Sequence, residues 1–129
     1  MADGAPERER ERLQDTRGSV TRNVVIESEQ GPVSVFITAG LYEDGRLAEV
    51  FVQMGKVGST MRGMLDSWAI MISFALQYGI ALDVLVRRFE DTVFPPAGAT
   101  NNPAIPTCSS VVDYVMGWLA REFGEGETK

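Results

Sequence analysis

The chain has 129 residues, a net charge of −6, one cysteine and no histidine. That length fits one domain with one core, and the acidity excludes a coat for DNA or RNA, whose affinity comes from neutralising many phosphates. Without histidine, and with Cys108 as the single thiol, disulfide frameworks, most metal sites and any Ser-His or Cys-His catalytic pair are excluded.

Residues 1–18 carry the alternating run Glu7-Arg8-Glu9-Arg10-Glu11-Arg12 and almost nothing apolar, and 124–129 are similarly polar. Both ends read as disordered, solvated tails flanking a domain over 19–123. The alternative for the run is a short helix laced by ion pairs, which has no apolar stripe with which to dock. The first apolar run comes only after Val20 and is strand-like, so no signal peptide is expected and the protein reads as cytoplasmic. The longest apolar stretch, 67–76, is too short to span a bilayer.

Residues 19–27 are rich in β-branched side chains and predict a strand, closed by Gly31-Pro32. Residues 33–42 alternate Val33, Val35, Ile37 and Ala39 with Ser34, Phe36, Thr38 and Gly40, the period of a half-buried strand. Glu43-Asp44-Gly45-Arg46 supplies a hairpin turn into a third strand over 47–54. Gly55 to Thr60 breaks the pattern, and Ser59 or Thr60 suits the cap of a helix over 61–78 that ends at Gly79. Its polar side chains, Arg62, Asp66, Ser73 and Gln77, share one narrow stripe. A helix this apolar elsewhere must be nearly enclosed, and a small three-stranded domain encloses it most economically as an oligomer.

A surface helix follows over 82–91, with Asp83 and Arg87 at ion-pair spacing. Residues 94–106 contain four prolines and read as an ordered loop anchored by Phe94 and Ile105. Thr107 or Ser109 caps a last helix to Phe123. Strands followed by segregated helices make an α+β fold, a three-stranded antiparallel sheet followed by three helices, packed in an oligomer.

Two places suit a ligand. At the start of the first helix, Lys56, Gly58, Ser59, Thr60 and Arg62 combine free backbone N–H groups, the positive end of the helix dipole, hydroxyls and cations, which suits a phosphate. The spacing is not that of a Walker A loop, and a glycine turn with a Ser/Thr cap needs the same residues. In the second place, Phe94 offers a face for a base and Asn102 an amide for its edge, with Arg22, Arg88 and Arg121 as auxiliary cations. Asn101-Asn102-Pro103 also suits an ordinary turn, and Arg121 a helix C-terminus. Tyr42, Glu43 and Asp44 flank a hairpin turn, where carboxylates are usually solvated, and Cys108 without a base partner reads as a small core residue. No catalytic residue, metal site or cofactor is expected.

The motifs Gly40-Leu41-Tyr42-Glu43-Asp44-Gly45-Arg46, Glu49-Val50-Phe51-Val52, Gly58-Ser59-Thr60, Ser73 to Gly79, Asn102-Pro103, Asp113-Tyr114 and Trp118-Leu119 resemble the TSCPD-type domain. That domain ends adenosylcobalamin-dependent (class II) ribonucleotide reductases, and the resemblance runs from Leu13 to Phe123. It implies a non-catalytic module, since the barrel, radical cysteines and cobalamin site of that family lie elsewhere in its long chains. Arg22 stands where the family often has histidine, Ala104 where an acidic or amide residue is common, and Gly117 where arginine is frequent. As a free-standing chain it also resembles phage proteins that sequester cyclic or ADP-ribose-type nucleotide signals of bacterial defence between subunits. The resemblances imply a small nucleotide ligand, a homo-oligomer, no membrane, and either sequestration of an immune signal or an accessory role beside a separate reductase catalytic chain.

Overall fold

A computed structural model describes residues 9–55 and 57–124; Lys56 and the stretches 1–8 and 125–129 lie outside the described residues. The chain folds in the order β1 (Ser19–Ser28), β2 (Gly31–Leu41), β3 (Leu47–Met54), α1 (Ser59–Gln77), α2 (Leu82–Phe89), β4 (Gly98–Thr100), β5 (Thr107–Cys108) and α3 (Val111–Phe123). The alternation seen in the sequence becomes the two faces of the sheet. Val33, Val35, Ile37 and Ala39 are buried, while Phe36 between them is 42% exposed.

The sheet has five strands in the order β3-β2-β1-β4-β5, which corrects the three expected. The extra pair comes from the proline-rich loop: Ala99 and Thr100 pair with Glu27 and Ile26 of β1, and Gly98 and Ala99 pair with Cys108 and Thr107. Strands of three and two residues are too short to show a period. Gly98 has φ +146, and a Cβ there would collide with the carbonyl oxygen of Glu27, so glycine is what lets β4 approach β1.

One core joins the inward face of the strands to all three helices. α3 is its centre, with Val111, Tyr114, Val115, Met116 and Leu119 fully enclosed. Its N-cap is Ser110, whose side chain accepts the N–H of Asp113, while Thr107 belongs to β5 and Ser109 donates its N–H to the Asp113 carboxylate. Capping therefore falls one residue beyond Ser109, the later of the two expected. The α1 cap also differs, because the N-cap is Gly58 and no side chain bonds there.

The polar stripe of α1 is real, but part of it points inward. Ser73 and Gln77 are 9% and 4% exposed. The Ser73 hydroxyl accepts the Val50 N–H at 2.8 Å and lies 2.8 Å from the Ala69 carbonyl, and Gln77 donates to the Ala48 carbonyl at 2.9 Å. β3 is the outermost strand on its side of the sheet, so these two side chains satisfy backbone groups that have no strand to pair with. The apolar side chains of α1 consequently divide. Leu65, Ala69 and Ile72 are buried, whereas Met64 and Met71 are 68% and 65% exposed. The enclosure expected for the whole helix is not provided within one chain.

Residues 9–18, read from the sequence as part of a solvated tail, lie against the domain. The Glu11 N–H donates to the Gln77 carbonyl, Tyr42 donates its hydroxyl to the Glu11 carbonyl at 2.7 Å, and Gln14 donates to the Leu41 carbonyl. Arg17 pairs with Glu49 at 3.0 Å. The docking uses backbone groups and charges, which a search for an apolar stripe does not register. No helix among the described residues is long and apolar enough to cross a membrane.

Candidate functional site

The first turn of α1 follows β3 directly and presents Gly58, Ser59, Thr60 and Arg62 to solvent. With no side-chain cap and no acidic residue in that turn, the N-terminal N–H groups and the dipole are left to attract an anion. Arg62 folds back to donate to the Val57 carbonyl at 2.7 Å. Lys56, expected beside them, lies outside the described residues.

The other expected contacts do not gather around that turn. Asn102 is 6% exposed, and its amide donates to the Tyr114 hydroxyl at 2.8 Å while its side-chain oxygen accepts the Ala104 N–H. It ties the β4–β5 loop to α3 and has no free edge for a base. Phe94 is half-buried against the core and donates its N–H to Ser109. Arg88 is exposed on α2 and Arg121 on α3. A groove joins Leu76 and Gly79 to Glu122 and Phe123, so Arg121 lies at the C-terminal end of α1. Ser59 and Arg121 are therefore separated by about the length of a 19-residue helix, on the order of 25 Å. Arg22 stands opposite Ile37 on the inward face of β1, and its Nε is buried without a hydrogen bond.

That groove, about 540 Å³, runs between the β2–β3 turn and the ends of α1 and α3 and is lined by Tyr42, Arg46, Leu76, Ile80 and Phe123 among others. A second hollow of about 420 Å³ lies on the other side of the same turn, against Glu11 to Gln14. Arg46 organises both. It bonds Glu11 at 2.7 Å and Asp44 at 2.8 Å, and its guanidinium lies 4.5 Å from the centre of the Tyr42 ring. Hydrogen bonds from Arg46 hold the Asp44 carboxyl below its usual value. Burial, then the charge of Glu11, pushes the Tyr42 hydroxyl up. One guanidinium thus serves two carboxylates, and it is fully engaged by them. The signal that pointed here was the Tyr-Glu-Asp-Gly-Arg turn itself, while the Glu11 partner, far off in sequence, left none.

Cys108 is buried, and burial raises its thiol above the ordinary value of 9.0. Among the described residues no group of His, Cys, Asp or Glu is placed to hold a metal ion.

Fold and surfaces together define a single-sheet α+β domain with two shallow hollows at one turn. Residues 5–123 match the sequence pattern of the TSCPD domain, and the chain belongs to that family. It is 44% identical over 117 residues to a vitamin B12-dependent ribonucleotide reductase of Rhodopirellula baltica, covering 91% of this chain and 11% of that protein. The proteins of the same name from Streptantibioticus cattleyicolor and Bradyrhizobium diazoefficiens are 38% and 40% identical, over 93% and 88% of this chain and 19% and 9% of theirs. The chain thus spans less than a fifth of the length of these relatives. No solved structure matches.

Proposed function

We propose that this chain is a non-catalytic recognition module of the ribonucleotide reductase type, which holds a small phosphorylated nucleotide and leaves the chemistry to a reductase catalytic chain. The observation that carries this reading is the alignment of nearly the whole chain with about a tenth of a B12-dependent reductase. The single cysteine supports it, being buried with a raised thiol pKa and so poorly suited to redox exchange. The phosphate is held at the uncapped start of α1 by backbone N–H groups, Ser59, Thr60 and Arg62, with Lys56 adjoining in sequence. Asn102 and Phe94 support the loop, and Arg22, Arg88 and Arg121 are too dispersed to share that ligand within one copy.

The test is calorimetry with deoxynucleoside triphosphates, alongside reductase assays of a catalytic chain lacking this module, with and without the added chain. Binding that falls at least tenfold in Arg62→Ala, together with reduction that needs both chains, is the expected result. Reduction by this chain alone with adenosylcobalamin sinks the reading.

A second reading, favoured by the exposed apolar side of α1, is a self-associating sponge that sequesters cyclic or ADP-ribose-type nucleotide signals as a phage anti-defence protein. Mass spectrometry of nucleotide co-purified from cells making such a signal distinguishes the two. Recovery of intact signal favours the sponge, and recovery of deoxynucleotides favours the reductase module.

A further inference from the structure

We propose that the outward side of α1 is a two-fold seam on which a second copy of this chain docks with its own α1 antiparallel. This deepens, and rests on, the reading of the chain as a self-associating module. Gly63, Ser67, Ile70 and Phe74 follow one another at helical spacing, with Met64 and Met71 each one position on. All are exposed and none is charged. The stripe continues through Tyr78, while Asp66, Ser73 and Gln77 share the flank turned toward the β3 edge.

The area suffices for a pair of copies. Met64, Ile70, Met71, Phe74 and Tyr78 are between 41% and 68% exposed, which at roughly 200 Å² per large side chain leaves roughly 500 Å² open on each copy. Two copies then cover roughly 1,000 Å² of largely apolar surface, the size at which specific interfaces begin. Each copy carries a net charge of −6, so an association surface between copies has to be free of like charges, as this stripe is.

Gly63 points to a close neighbour. A Cβ added to it meets nothing within 4 Å, so no contact within the chain calls for glycine, although glycine weakens a helix relative to alanine. Small residues, Gly63 and Ser67, stand in the N-terminal half of the stripe and large ones, Ile70 and Phe74, in the C-terminal half. Antiparallel pairing sets Phe74 against the partner's Gly63, Ile70 against the partner's Ser67, and Met64 beside the partner's Met71. Parallel pairing stacks Phe74 on its own copy and leaves a void at Gly63. The complement of each half lies on the same helix, which is what a two-fold contact requires. Arg10 lies over the Phe74 ring at 4.8 Å, and the ring remains 41% exposed for the partner.

Sedimentation velocity of the full chain tests the seam. The expected result is a dimer that Met71→Asp converts to a monomer with an unchanged far-ultraviolet spectrum. Gly63→Leu, which has open space within the chain, weakens the dimer at least tenfold and keeps the fold. Nitroxide labels on Asp66→Cys, exposed on the flank of the stripe near its midpoint, report a short separation, whereas labels on Thr60→Cys report one on the order of 25 Å, the axial offset of antiparallel helices. A wild-type monomer at 100 micromolar, a dimer that survives both seam substitutions, or equally short separations at both label sites overturns the proposal. Nucleotide binding is read separately, so a monomer that still binds nucleotide refutes the seam and leaves the recognition reading standing.

Discussion

Asn102 shows how one side chain settles its role through its neighbours. Its amide reaches the Tyr114 hydroxyl and the Ala104 N–H in a site closed to solvent. Asn102→Ala strands both groups, and a loss of about 2–3 kcal/mol in urea denaturation is expected. A variant as stable as the parent contradicts the structural role. Tyr42 gives a pH dependence. Its hydroxyl holds its proton more tightly in the folded chain than the ordinary value of 10.0, so its contribution is complete below pH about 10 and is lost as pH rises through the folded value. That proton makes the hydrogen bond to the Glu11 carbonyl, and deprotonation removes this one of the ties that hold residues 9–17 to the domain. In Tyr42→Phe the stability difference between pH 8 and pH 11 is expected to shrink. An identical difference in both proteins assigns the alkaline loss to other groups.

At the scale of elements, α1 and the β3 edge act as one unit. Ser73→Ala leaves the Val50 N–H buried without its acceptor, and a cost of about 1–3 kcal/mol is expected, whereas Asp66→Asn, exposed on the same helix, stays within about 0.5 kcal/mol. Urea denaturation of both variants checks the contrast, which equal effects deny. The sequence revealed that Arg62, Asp66, Ser73 and Gln77 share a side of the helix, because periodicity reports shared faces. It did not reveal that Ser73 and Gln77 point down, because periodicity is silent on what lies opposite. Strands β1 to β3 were legible through their alternation and the Asp44-Gly45 turn. β4 and β5 were not, because long-range pairing creates them from a loop too short to show a pattern.

Across the whole molecule, distance was the quantity the sequence withheld. Ser59 and Arg121 belong to one list of cations and hydroxyls when read along the chain, yet they occupy opposite ends of α1. The charged N-terminal run was likewise read without its destination, although Glu11, Arg10 and Arg17 each find partners on β2, β3 or α1 or beside them. Gly98 sets the junction between the large sheet and the small β4–β5 pair. Gly98→Ala is expected to cost about 1–3 kcal/mol for the forced backbone conformation, more where the Glu27 carbonyl has to move. Calorimetric melting tests this, and an unchanged Tm shows that β4 relaxes freely.

The covering of β3 by Ser73 and Gln77 also bears on how this protein fails. One margin of the sheet is stapled to a helix by side-chain hydrogen bonds, and the other is the two-residue strand β5. The middle of the one margin is occupied and the other is very short, so fibril growth by strand addition is hindered at both on the native chain. Amyloid-type aggregation then requires α1 to peel away first, and its onset on heating should follow the loosening of that one helix rather than the melting of the sheet.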